Sequence, residues 1–258
     1  MDSIGGVFMG KRRRRKVSLR KTFGIALAVA AVICIGISFI GPKEYEKSEL
    51  LEMGIPKSLA NLYVRNEETR DFVLGYLDAE GDSDTIDIEK DLHRGEIPLF
   101  LQWDERWGYE KYGDDFMALE GCGPTCLSMV YCGLTGDPTM HPLAMAEMAE
   151  AGNHYVSGVG SAWTMMQDMA EELGLTVNEV FFMADSIIEE LQAGHPIICA
   201  VSSGDFTTAG HFIVLTEADD DGMLTVHDPN SKKKSKQKWD VETIMSQTEN
   251  LWSYSIGY

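Results

Sequence analysis

The 258 residues are 44% hydrophobic, enough to pack one large domain or two small ones, and carry a formal charge of -19. The charge is uneven: removing residues 1–42 takes away eight of the 22 Lys and Arg and one of the 41 Asp and Glu, leaving 14 against 40, or -26. So acidic a body argues against binding nucleic acid or docking on anionic lipid.

Eight Lys or Arg crowd between Lys11 and Lys21, and nineteen residues without a charge follow, Phe23 to Gly41. At about 1.5 Å per residue that run just crosses a hydrocarbon core of about 30 Å. It exceeds a usual signal-peptide core, and no small-x-small cleavage site precedes the charged "PKEYEKSE". The expectation is therefore a basic cytoplasmic tail (1–22) and a single transmembrane anchor (23–41), with everything after Pro42 outside the cell. Cys34 falls within the anchor as a small apolar residue.

Residues 42–95 predict a helical spacer ending in an acidic loop, with Leu59, Leu62, Val64, Phe72 and Val73 at roughly helical spacing before "DAEGDSDTIDIEKD". Residues 96–258 form the main domain. Helices are expected at 122–132, 141–151, 161–173 and 185–193, the last stopped by Gly194 and Pro196. Strands are expected in "PIICAVSS", "HFIVLTEA", "GMLTVHD" and "NLWSYSIGY". Helices first and strands afterwards predict an α+β domain, a helical half packed on an antiparallel sheet.

Beyond the anchor the chain has Cys122, Cys126, Cys132 and Cys199. An even number outside the cell permits two disulfides, but a domain of this size does not need them. A cysteine attacks as its thiolate, which a helix N-terminus and a neighbouring histidine favour. In "GCGPTCLSMVYCG", Gly121, Gly123 and Pro124 mark a helix start and place Cys122 at the opening. Cys126 lies one turn deeper and Cys132 near the C-terminal end, so these two are expected in the core. A metal site at Cys122 and Cys126 lacks a second ligand pair at suitable spacing, and no cofactor is expected.

Of six histidines, His93, His141 and His154 suit polar surface positions, and His195 suits a helix C-terminus. His211 differs because it opens an apolar strand directly after a glycine. The turn "DDDG" would join that strand to the next as a hairpin and bring Asp228 of "HDPNS" to the same end, where its carboxylate could orient the imidazole. "DPNS" is equally a simple turn. Glu217, Asp219, Asp221, Gly222 and Asp228 also mimic a calcium loop, although "MLTV" continues a strand pattern through it.

Taken in order, Gln102 in "LFLQWDERW", Cys122, His211 and Asp228 resemble the papain-like cysteine peptidases, in particular the double-glycine leader peptidases of bacteriocin exporters. The resemblance covers residues 96–258 and implies a papain-like fold. It also implies Cys122 as nucleophile, His211 as general base and acid, Asp228 as the residue orienting it, and Gln102 in the oxyanion hole. Gly121 replaces the acidic residue usual before that nucleophile, and the Gln102 to Cys122 interval is longer than in the exporter peptidases. The sequence is closer to the stand-alone, surface-anchored relatives of Gram-positive bacteria, so leader processing does not follow.

The expected activity is hydrolysis of an amide bond, in a peptide or a cell-wall peptide stem, by a membrane-anchored extracellular enzyme. The alternatives are a catalytically silent binding or scaffolding domain and a transpeptidase or amidase using the same thioester. "WDERWGYEKYG" and "SGVGSAWTMM" are the candidate lining segments.

Overall fold

The computed structural model describes residues 43–79 and 86–257. The expected tail and anchor lie outside these residues; among the described ones no helix is long and apolar enough to cross a membrane.

Three short helices, α1 (Lys47–Glu52), α2 (Lys57–Arg65) and α3 (Arg70–Gly75), occupy the expected spacer. Leu59, Ala60, Leu62 and Tyr63 of α2 are buried, so the segment rests on the rest of the protein along an apolar stripe. Residues from Glu46 to the C-terminus form one compact unit.

A two-residue hairpin, β1 (Lys111–Tyr112) and β2 (Asp115–Phe116), leads into α4 (Met117–Glu120) and α5 (Cys122–Thr135). Then come α6 (Pro142–Ala151), a second small hairpin of β3 (Tyr155–Val156) and β4 (Gly160–Ser161), and α7 (Met165–Glu172). The remainder alternates: β5 (Leu175–Glu179), α8 (Ala184–Gln192), β6 (Ile197–Val201), β7 (His211–Ala218) and β8 (Met223–His227). It closes with α9 (Lys232–Ser235), β9 (Lys238–Asp240), α10 (Val241–Met245) and β10 (Thr248–Ile256).

Six strands form one antiparallel sheet in the order β5-β10-β6-β7-β8-β9. β6 shows how the core is divided. Ile198 and Ala200 turn to the face covered by α5, α6 and α7, whereas Ile197, Cys199 and Val201 turn to the face covered by Ile187 and Leu191 of α8 and Ile244 of α10. The expected α+β architecture is present, with one correction: helices cover both faces of the sheet, which is why "IICAV" is apolar at every position.

Helix α5 is the centre of the helical layer. From Gly123 to Val130 every residue is buried, a helix hydrophobic all round because packed elements surround it. Gly136, in the left-handed conformation, stops it by donating its N–H to the Cys132 carbonyl.

Some elements differ from expectation. The helix expected from 161 begins at Met165, because Ser161 pairs with Tyr155 in the β3/β4 hairpin. Strands β5 and β9 were not expected, and each is held by a partner strand distant from it in sequence or too short to show a pattern.

Candidate active site

Cys122 is the first residue of α5, after a sharp junction at Gly121, whose N–H closes α4 on the Met117 carbonyl. The first turn of a helix exposes backbone N–H groups without intrahelical partners, and proline at position 124 removes one donor that would otherwise need satisfying. Gly123 is required by close approach: a Cβ there would sit 2.5 Å from Ser161 Oγ. The Cys122 thiol is partly exposed, while Cys126, Cys132 and Cys199 are buried; all four are free, so the permitted disulfides do not form.

The expected β7/β8 hairpin is formed, and it delivers His211 and Asp228 to one end. His211 Nε2 lies 2.8 Å from Asp228 Oδ1, with the side chains 7% and 0% exposed. The same imidazole is influenced by the Cys122 side chain at the head of α5. Since Nε2 is committed to Asp228, Nδ1 is the nitrogen left for the thiol. Burial opposes the imidazolium, but the hydrogen bonds to Asp228 and Cys122 outweigh it and raise the His211 pKa to about 10.

Asp228 is held from several sides. Its Oδ1 also accepts the Asn230 N–H at 2.8 Å, and its own N–H donates to Ser235 Oγ at 2.9 Å. Its Oδ2 is buried without a hydrogen bond among the described residues, and Lys234 Nζ stands 3.8 Å away. The two open readings of "DPNS" are therefore both realised: it is a turn, closed by Ser231 N–H on the Asp228 carbonyl, and the turn is what holds the carboxylate. Of the calcium-like residues, Asp219 accepts the N–H groups of Asp221 and Met223, and so shapes the hairpin turn.

Gln102 is buried between the two halves. Its backbone N–H donates to the Pro229 carbonyl at 2.8 Å, next to Asp228, and its side-chain Nε2 donates to the Ala118 carbonyl at 2.8 Å, four residues before Cys122. The Oε1 is buried without a partner among the described residues.

Three of the other histidines have partners elsewhere. His141 caps α6 by accepting the Ala144 N–H, His195 pairs with Glu190 at 2.9 Å, and His227 Nδ1 meets the Pro98 carbonyl at 3.2 Å.

The two candidate lining segments do meet beside Cys122. Tyr112 of the first and Ser161 of the second share a hydrogen bond of 2.8 Å. Burial pushes the Tyr112 phenol up, and Ser161 packs against Gly123, the residue after Cys122. Trp163, partly exposed, stacks edge-on against Trp252 at 6.0 Å in the same region of chain. Residues that sequence reasoning missed are Asn230, Lys234 and Ser235; the cluster "DPNSKKKS" signalled a turn but not its grip on Asp228. A cavity of about 500 Å³, lined by His93, Arg94 and Cys132 among others, opens at the far end of α5. Ten residues of helix, about 15 Å, separate Cys132 from Cys122, so this cavity is not part of the site.

Residues 95–257 match the family described as Peptidase_C39 like. The peptidase domain of Streptococcus ComA, a bi-functional ABC transporter involved in a quorum sensing pathway, is similar at 17% identity and a TM-score of 0.40, over 54% of this chain and 93% of that chain. No curated protein matches the chain.

Proposed function

The chain belongs to the Peptidase_C39-like family and is a cysteine peptidase, and from that premise we propose that Cys122 is its nucleophile, with His211, Asp228 and Gln102 completing the machinery. The observation that carries this reading is the buried imidazole with one nitrogen on Asp228 and the other left for the Cys122 thiol.

In this mechanism the Cys122 thiol gives its proton to His211, and the thiolate is stabilised by the imidazolium and by the positive end of α5. The thiolate attacks the scissile carbonyl carbon. The oxyanion is received by the Cys122 backbone N–H and by the second Nε2 hydrogen of Gln102, the first being taken by Ala118. His211 then protonates the leaving amine, a thioester remains, and the neutral imidazole takes a proton from the water that hydrolyses it. Asp228 holds the imidazole in one orientation throughout.

The substrate is a peptide, and we place its processing outside the cell, on an enzyme held by the 23–41 anchor. Support for that comes from the basic cluster before the anchor and the acidic body after it. A cell-wall peptide stem is the substrate class that such a position favours.

Alkylation by iodoacetamide, read by mass spectrometry, tests the nucleophile. Cys122→Ala is expected to abolish labelling at pH 6, and Cys126→Ala to retain it. Labelling that survives the first change and disappears with the second would overturn the assignment.

A further inference from the structure

The helical segment before the family match makes a dense set of bonds to one part of the catalytic region, the turn that carries Asp228. Asn66 starts a single helical turn at Glu67–Thr69, its Oδ1 accepting the Glu68 N–H at 3.1 Å. Its Nδ2 is thereby aimed outward and donates to the Asn230 carbonyl at 2.9 Å. Glu68 receives two donors from the other end of the chain: Ser231 Oγ–H on Oε1 at 2.5 Å and the Lys233 N–H on Oε2 at 3.1 Å. Bonds from a carboxylate to hydroxyl and backbone donors are roughly twice as strong as neutral ones.

Those donors are the start of α9. Ser231 is its N-cap, accepting the Lys234 N–H at 3.2 Å. On that short helix stand Ser235, whose Oγ accepts the Asp228 N–H, and Lys234, whose ammonium lies 3.8 Å from Asp228 Oδ2 and donates to the Phe206 carbonyl at 2.8 Å. A helix of four residues cannot hold its own shape in water, so its geometry depends on what grips its ends. Glu68 is such a grip, and Asp228 is what the helix positions.

The segment is in turn fixed to the body. Phe72 stacks on Tyr109 with ring centroids 4.3 Å apart, and the Tyr109 hydroxyl donates to the Phe72 carbonyl at 2.6 Å. Residue 108 must be glycine for this contact, since a Cβ there would meet the Phe72 ring at 2.7 Å.

We propose that residues 46–79 act as a clamp on the Asp228 turn, with Glu68 as a positioning residue for the His211–Asp228 pair through Ser231 and Lys233. The clamp rests on the catalytic reading of Cys122, His211 and Asp228. It gives the segment outside the family match a role in the chemistry, in addition to whatever length it supplies between anchor and body.

The test uses the full chain and the pH dependence of Cys122 carboxamidomethylation by iodoacetamide, with the melting temperature read in parallel. Glu68→Ala is expected to move the midpoint of that dependence up by about one pH unit, a loss of about tenfold in rate at pH 6. Glu68→Gln, which keeps one acceptor oxygen for Ser231, should recover part of the shift. Glu67→Ala is the control: Glu67 pairs with Lys233 in the open, both side chains more than 60% exposed, and no midpoint change is expected. A folded Glu68→Ala chain with an unchanged midpoint overturns the clamp, and so does a lowered melting temperature without a midpoint shift. Should Glu68→Ala fail to fold, Ser231→Ala removes the same bond from the other side and must give the same shift; an unchanged midpoint there also overturns the proposal. His211→Ala separates the two readings. If it shifts the midpoint and Glu68→Ala does not, the clamp alone falls; if neither shifts it, the catalytic reading falls and takes the clamp with it.

Discussion

Helix α5 carries three thiols with three different environments. Cys122 at the first position is partly exposed, beside His211, with unpaired backbone N–H groups around it. Cys126, one turn on, is wholly buried, and burial lifts its thiol well above the ordinary range, with the Cys122 charge adding to the effect. Cys132 sits in the last full turns, where burial raises its pKa to about 12 and its Sγ lies against the Met140 carbonyl and the Ser128 hydroxyl. Residue type is constant along the helix. On the proposed reading, position relative to the helix start and to one imidazole gives the N-terminal end its chemistry, while the two sulfurs behind it serve packing.

The strongest way to break this contrast is to remove the imidazole. In His211→Ala the Cys122 thiol is left with only the helix terminus beside it, and its alkylation by iodoacetamide should slow. The rate at pH 6 then falls by about 10²-fold. Near-unchanged alkylation would mean that the helix start alone activates Cys122, and that His211 has no part in its ionisation.

A second change divides the site differently. In the proposed mechanism Gln102→Ala removes an oxyanion donor but no partner of the thiol, so turnover of a fluorogenic peptide library should drop by about 10²- to 10³-fold while alkylation of Cys122 stays within about twofold. Alkylation forms no oxyanion, which is why the two readouts should part. Equal losses in both would assign Gln102 to holding the Ala118 and Pro229 backbones and not to the reaction.

The elements of this contrast were legible in the sequence to the extent that their causes were local. Gly121 to Pro124 marked a helix start, "DDDG" marked a hairpin, and a histidine opening an apolar strand demanded a buried partner. Those three features were enough to single out Cys122 ahead of Cys126 and Cys132 as a candidate and to place His211 and Asp228 at one end of a hairpin, where the structure pairs them. What stayed hidden depends on pairing across long stretches of chain. β5 has one buried residue, Leu175, and exists as a strand because β10 pairs along it from more than seventy residues away. The Tyr112–Ser161 bond joins two hairpins of two-residue strands, 49 positions apart. The bond from Ser231 to Glu68 spans 163 positions, and no periodicity or turn signal near Glu68 announces it. The helical segment was visible as a spacer; its attachment to the catalytic turn was not.

The smallest expected effect concerns stability, and its sign follows from the same imidazole. Burial disfavours the His211 imidazolium, but Asp228 and Cys122 reverse that and hold its pKa at about 10, against about 6.5 in the unfolded chain. A group whose folded pKa is raised binds its proton more tightly in the native state. Its contribution is therefore fully present below about pH 6.5 and is lost as pH rises through about 10. The difference in melting temperature between the wild type and His211→Gln should be largest at pH 6 and shrink steadily to pH 10.5. Glutamine is a fair substitute because it can still donate to Asp228 but cannot titrate. A difference that stays flat across this range would mean that the native imidazole is neutral, and the thiolate at the head of α5 would then lack the counter-charge that sets it apart from the two buried thiols behind it.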